Sequence, residues 1–249
     1  MKFKLLGTGN AAGMPVYGCD CEYCNQAKNN KHLQRTPCSA LLEIEGKRYL
    51  IDAGQMNLAE RFPAGTLDGI FITHFHPDHV QGLFHLRWGI NLKLPVYAPP
   101  DSQGCADLYK HNGILEFQPQ HKFTEFNLGP LLVTPLPLIH SKPTFGYLFE
   151  FNQQKIAYLT DTKGLPDATL ELLIQKQPDL MVIDCSFIPG SENRTHNNLD
   201  DVLHLEKNIR PIKIILTHIS HDMDIWLKNH PDALPKNIIA GHDNMELQT

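Results

Sequence analysis

The chain has 249 residues, 42% of them hydrophobic and 20% charged, with 27 acidic against 22 basic side chains and a formal charge of −5. That composition excludes disordered, collagen-like and membrane-embedded classes, and the acidic balance argues against wholesale wrapping of nucleic acid. A chain this long buries about 70–75% of its unfolded surface, so its core needs neither disulfides nor a partner.

The first apolar run, within MKFKLLGTGNAAG, is too short for a secretory signal. No stretch approaches the ~18 apolar residues of a membrane span. The expectation is a cytoplasmic protein whose six cysteines are thiols or metal ligands. Lys2–Thr8, Ala40–Glu45 and Arg48–Ile51 read as strands, with Gly46 turning the last two into a hairpin. Gly69–Thr73 is a fully apolar strand that ends where histidines begin, and a helix is expected over His79–Leu86. Pro95–Tyr97 reads as a strand and Ser102–Lys110 as a helix. Strands follow at Leu131–Pro137, Phe145–Phe151, Lys155–Thr160, Leu180–Asp184 and Ile212–Thr217. Helices are expected over Pro166–Lys176, with proline in the first turn, and Leu199–Asn208, stopped by Arg210-Pro211. No linker, repeat or low-complexity tract interrupts the chain. The pattern predicts one α/β domain over residues 1–249, with two mixed β-sheets flanked by helices and built from two similar halves.

Chemistry-bearing residues collect at strand ends. In Thr73-His74-Phe75-His76-Pro77-Asp78-His79, His74 and His76 are two apart and share one side of an extended chain. Pro77 stops the strand, and Asp78 and His79 project from the following turn. Three imidazoles and a carboxylate crowded after a buried strand are costly without a ligand. Asp52, His140, Asp161, Asp184 and His218 each follow or end another apolar run. Singly, such an Asp is a cap or turn residue. Together they mark the strand ends where sheet proteins assemble sites from distant sequence. Separately, Cys19, Cys21 and Cys24 form a C-x-C-x2-C cluster, three thiolates short of one ligand for tetrahedral zinc. Free thiols or a disulfide are the alternatives. Cys38, Cys105 and Cys185 belong to no cluster and read as ordinary buried thiols.

The HxHxDH sequence with later His, Asp and His residues resembles the metallo-β-lactamase superfamily, whose fold is an αββα sandwich. Gly7-Thr8-Gly9, Cys19-Asp20-Cys21-Glu22-Tyr23-Cys24, Thr36-Pro37-Cys38-Ser39, Leu86-Arg87-Trp88-Gly89, His140-Ser141-Lys142 and Leu216-Thr217-His218-Ile219-Ser220-His221 are further similar to PhnP-type enzymes. Those are phosphoribosyl 1,2-cyclic phosphate phosphodiesterases of phosphonate catabolism in the carbon–phosphorus lyase pathway, yielding ribose 1,5-bisphosphate. The resemblance implies that His74, His76 and His140 hold one divalent metal, that Asp78, His79 and His218 hold a second, and that Asp161 bridges them. The pair would activate a shared water for in-line attack on phosphorus. By resemblance His196 is the general acid, and His221 completes a structural zinc site with Cys19, Cys21 and Cys24 on a loop spanning about 18–38. Asp52 and Asp184 are expected to orient ligand imidazoles. Lys142 is a candidate for the substrate's 5-phosphate. The resemblance favours manganese, while the ligand types also accept zinc or iron. It implies a small phosphorylated sugar as substrate and a homodimer, while the charge balance disfavours a nucleic-acid partner and the short apolar runs exclude a membrane one. The alternatives are a transfer-RNA 3′-processing nuclease, another hydrolase of the same fold, and an inactive metal-binding scaffold.

Overall fold

The computed structural model describes residues 1–248. Two seven-stranded sheets form its centre. The first contains β1 (Lys2–Gly7), β2 (Ser39–Ile44), β3 (Lys47–Ile51), β4 (Gly69–Phe71), β5 (Leu94–Ala98) and β6 (Leu115–Pro119), with β14 (Glu246–Gln248) beside β1. The second contains β7 (Phe126–Leu128), β8 (Leu131–Pro137), β9 (Phe145–Phe151), β10 (Gln154–Leu159), β11 (Leu180–Asp184), β12 (Lys213–Thr217) and β13 (Ile238–Ala240). Both sheets follow one plan. From β14 through β1 to β6 the first three pairings are antiparallel and the last three parallel. From β7 to β13 the same sequence of pairings recurs.

The period-2 alternation of strand side chains explains the layers. Along β10, Ile156 and Tyr158 face the space between the sheets, while Ala157 and Leu159 face the helices. The inner layer joins Leu42, Ile51 and Phe71 of one sheet to Val133, Tyr147 and Phe149 of the other. The second sheet's outer face is covered by Leu173 of α5 (Asp167–Lys176), Val202 and Leu205 of α6 (Leu199–Ile209), and Met223 of α7 (His221–Asn229). Leu58 of α2 (Leu58–Arg61), Val80 of α3 (Pro77–Val80) and Leu83 of α4 (Leu83–Leu86) cover the first sheet. The remaining helix, α1 (Glu22–Asn29), lies in the cysteine loop. This is the αββα arrangement expected from the sequence.

Two expected helices differ. Ser102–Lys110 is a series of turns. Gly104 and Ala106 take φ of +57° and +46°, which no right-handed helix allows, and Asp101 Oδ1 accepts from the Gln103 and Gly104 N–H groups, curling the chain back. The helix expected over His79–Leu86 is broken at Gln81-Gly82 into α3 and α4. There Gly82 N donates to Ala53 O at 2.8 Å, and a Cβ on Gly82 would lie 2.4 Å from Gln55 O. Close backbone approach overrides helix continuation. The short strands β6, β7, β13 and β14 and the helices α1, α2 and α7 were not anticipated.

Candidate metal centre

Strand ends deliver most of the candidate residues to one edge of the sandwich, and His140 reaches it three residues past β8. Asp52 follows β3, Thr73-His74 follows β4, Thr160-Asp161 follows β10, Asp184 ends β11, and His218 follows β12. β3 and β10 are where each sheet changes from antiparallel to parallel pairing, and sites gather at the carboxyl ends beside such switches. Asp52, Asp161 and His218 all take left-handed backbone, with φ of 56°, 58° and 54°. Each such residue costs on the order of 1–3 kcal/mol, though Asp and His tolerate the region better than most. The turn it makes ends the strand and releases the side chain from the strand's in-and-out alternation.

The structure brings His74, His76, Asp78, His79, His140, Asp161 and His218 together. The sets His74/His76/His140, His74/His79/Asp161 and Asp78/His79/His218 each place their ligand atoms within 4.8 Å of one another. His76 Nδ1 lies 2.8 Å from His74 Nε2 and 3.1 Å from His140 Nε2. Asp161 stands in the middle, with Oδ2 3.2 Å from His79 Nε2 and Oδ1 3.3 Å from His218 Nε2.

Counting donors fixes which nitrogen points into the cluster in four of the rings. His140 Nδ1 faces the Thr195 carbonyl at 3.1 Å and must donate to it. His79 Nδ1 faces the Asp52 carboxylate at 2.8 Å and donates likewise. Thr73 Oγ1 donates to Asp52, so it accepts from His74 Nδ1 at 3.1 Å. Ser186 Oγ donates to Asp184 Oδ1 at 2.7 Å and accepts from His218 Nδ1 at 2.8 Å. Four imidazoles are thereby oriented with Nε2 directed into the cluster, the arrangement that outer partners impose on metal-ligating histidines. His79 Nε2 and His218 Nε2 are buried and make no hydrogen bond. Bare ring nitrogens and carboxylate oxygens packed this closely repel; protons on His79 and His218 relieve the conflict in the metal-free protein, and divalent cations would take their place. The residues present therefore fit divalent metal ions.

The electrostatics agree. Burial lowers the pKa of His74, His76 and His140 and keeps them neutral. Burial also works against charging His79, but Asp161 and Asp52 outweigh it and hold its pKa well above the ordinary value. His218 is likewise carried to about 8, against burial, by Asp161 and Asp78. Burial works to raise the Asp161 carboxyl, yet His218, His79 and His74 hold it well below the carboxylate range. Where a cation would sit, the protein concentrates negative potential.

His196 lies beside this cluster. Its ring stacks on His218 at 8° and 4.8 Å between centroids, and its Nδ1 is 2.7 Å from Asp184 Oδ2. Asp184 thus hydrogen-bonds His196 directly and His218 through Ser186, with its Oδ1 3.9 Å from His218 Nδ1. Ser186 and Thr73 were not singled out by the sequence, since an isolated hydroxyl near a strand end carries no distinguishing signal. Lys142 is engaged elsewhere, with Nζ 3.4 Å from Asp101 Oδ2 and 3.2 Å from Gly104 O.

Cys19, Cys21, Cys24 and His221 form a second group within 4.8 Å. His221 opens α7, three residues beyond His218, and its Nε2 is 3.3 Å from Cys21 Sγ and 3.7 Å from Cys19 Sγ. The Cys24 N–H donates to the Cys21 sulfur, and with His221 it lowers the Cys21 thiol to about 6. Burial raises the Cys24 thiol. Of the other cysteines, Cys38 and Cys185 are buried, while Cys105 is half-exposed, because the turns at 102–110 leave it at the surface.

Two mixed sheets face to face, helices outside, and a His/Asp cluster at one edge define a metal-dependent hydrolase fold. The chain belongs to the beta-lactamase superfamily, whose domain model matches residues 47–219. It is similar to a structurally characterised diphosphatase of the PhnP family, with 28% identity, a TM-score of 0.84, and coverage of 100% of this chain and 97% of that one. A ribonuclease Z of Methanosarcina acetivorans is 24% identical over 86% of this chain and 92% of its own length. An octanoyltransferase of Porphyromonas gingivalis is 30% identical over 99% of this chain, which spans only 51% of that protein. Among the described residues, no helix is long and apolar enough to cross a membrane.

Proposed function

We propose that this chain is a metal-dependent phosphoric ester hydrolase acting on a small phosphorylated sugar. Its substrate is phosphoribosyl 1,2-cyclic phosphate, opened to ribose 1,5-bisphosphate as a step of phosphonate catabolism. The observation that carries the reading is the seven-residue His/Asp cluster with His196 stacked against it. His74, His76 and His140 would hold one divalent cation, and Asp78, His79 and His218 another, with Asp161 between them. Manganese, zinc or iron suits this donor set. Bound there, the cations would supply charge to stabilise the phosphoryl oxygens and would make water nucleophilic at neutral pH. The ligand carboxylates leave such a centre with a small net positive charge, enough to attract a phosphodiester without a basic surface.

The protein's own contribution is orientation and one proton. Asp184 engages His196 Nδ1, so Nε2 is the nitrogen free to deliver a proton to the departing sugar oxygen. Stacking against His218 holds that ring against the His/Asp cluster, where the substrate's phosphorus would sit. In this reading Cys19, Cys21, Cys24 and His221 hold a zinc ion that pins the loop of residues 18–38 beside the site, with no open position for water.

The test is phosphorus NMR of the product after manganese loading. Appearance of ribose 1,5-bisphosphate supports the reading, and an unreacted ring under conditions that hydrolyse bis-p-nitrophenyl phosphate refutes the substrate. The similarity to a ribonuclease Z over most of both chains supports a second reading, a transfer-RNA 3′-processing nuclease. Accurate cleavage of a transfer-RNA precursor with no turnover of the cyclic sugar would decide for it. The diphosphatase relative makes a diphosphate ester the third substrate for the same assay.

A further inference from the structure

Behind Asp161 lies a line of buried polar groups running into the layer between the sheets. Thr160 Oγ1 is 2.8 Å from Asp161 Oδ2. Cys38 Sγ is 3.5 Å from Thr160 Oγ1 and 3.1 Å from both Tyr158 Oη and Thr217 Oγ1. Tyr158, Thr160, Thr217 and Cys38 are all 0% exposed. Four polar side chains from three elements in an otherwise apolar layer are expensive unless every one is satisfied.

The proton count runs one way. An ionised carboxylate only accepts, so the single Thr160 hydroxyl proton is committed to Asp161 Oδ2. Thr160 Oγ1 is then an acceptor, and the Cys38 S–H is its donor. With its proton spent, Cys38 Sγ accepts from Tyr158 Oη and Thr217 Oγ1. Every proton in the line points toward Asp161.

We propose that Thr160, backed by Cys38, Tyr158 and Thr217, is a positioning residue that fixes the rotation of the Asp161 carboxylate. Asp161 needs such a hold. Its left-handed backbone, φ 58°, detaches it from the regular strand, and its two oxygens must serve different neighbours, Oδ2 toward His79 and Oδ1 toward His218. A carboxylate free to rotate about its last torsion would lose that division. The Thr160 hydroxyl pins Oδ2 on the His79 side, and the line behind it prevents the hydroxyl from turning away.

This rests on Asp161 being a shared metal ligand, and the experiment separates the two claims. Metal is removed by chelation, and manganese and zinc affinities are measured by competition with a chromophoric chelator, alongside circular dichroism. Asp161→Asn tests the ligand itself. If it retains both ions at wild-type affinity, the metal-centre reading fails first. If Asp161→Asn loses an ion, Thr160→Val decides the inference. The expected result is affinity weakened about 10–100-fold for at least one ion, with Thr160→Ser within about twofold of wild type because it keeps the hydroxyl. Wild-type affinity in a folded Thr160→Val overturns the proposal. Should Thr160→Val fail to fold, Cys38→Ala takes its place. It leaves Thr160 but removes its donor, so measurably weaker metal binding supports the proposal and unchanged affinity overturns it.

Discussion

Replacing Asp52 by Asn should disable His79 without touching it. Asp52 is fully buried, and its carboxylate accepts from Thr73 N at 2.8 Å, from Thr73 Oγ1 at 2.8 Å and from His79 Nδ1 at 2.8 Å. An amide of the same size offers one acceptor and one donor. With its oxygen toward Thr73 N, the NH2 faces His79 Nδ1, and two donors collide unless the imidazole moves its proton to Nε2. That nitrogen is the one directed into the cluster, so the shift cancels a ligand. With the amide flipped, the Thr73 N–H loses its acceptor instead. A buried donor left unpaired costs about 1–3 kcal/mol. For a chain of about this size each kcal/mol moves the midpoint by about 2–4 °C, so the metal-free variant should melt about 2–12 °C lower. Metal affinity should fall about 10–100-fold, as for other groups that orient a ligand. Thermal unfolding in chelator and metal competition on the same preparations read both effects. A metal-free melting point equal to wild type, together with undiminished affinity, would refute the donor-counting argument.

His196→Ala should slow release of a sugar alkoxide by about 10²–10⁴-fold, the usual worth of a placed acid. It should slow release of p-nitrophenolate far less, because that group leaves without a proton; equal losses on both substrates would remove His196 as the acid. Cys21→Ser should lower zinc content and thermal stability while leaving the His/Asp cluster's metals in place, which elemental analysis checks. In chelated protein the Cys21 thiol, lowered to about 6, is ionised above that pH and protonated below it. Iodoacetamide labelling of Cys21 should therefore rise with pH to a plateau with a midpoint near 6, and a midpoint near the ordinary thiol value of about 8.5 would contradict the environment described. Gly54→Ala places a Cβ 1.7 Å from Asp78 O. The clash should cost about 1–3 kcal/mol or more and displace Asp78, read as a lower unfolding midpoint with weaker metal binding.

The outline of the site was legible because its ingredients are local. An apolar strand followed by His74, His76, Asp78 and His79 announces itself within one short segment. Asp161 and His218 were visible as polar residues at the ends of apolar runs. What escaped notice was whatever depends on a neighbour across the sheet. Ser186 matters because β11 and β12 pair in parallel, which sets Asp184 opposite Thr217, next to His218. Lys142 reads as a free cation in sequence, yet the turns of 102–110 bring Asp101 and the Gly104 carbonyl to it. Residue types over 102–110 suit a helix, and the positive φ at Ala106 that forbids one leaves no trace in them.

By itself the sequence determined the layers and the candidate ligands at the strand ends, because side-chain alternation and the clustering of imidazoles are properties of short segments. Only the tertiary structure decided which nitrogen of four histidines points into the cluster, which carboxylate oxygen faces which ring, and that Thr160 and Cys38 stand behind Asp161. Those choices are made by hydrogen-bond partners many residues away. A proton on a ring nitrogen is placed by the acceptor it meets, and that acceptor is known only once the strands have paired.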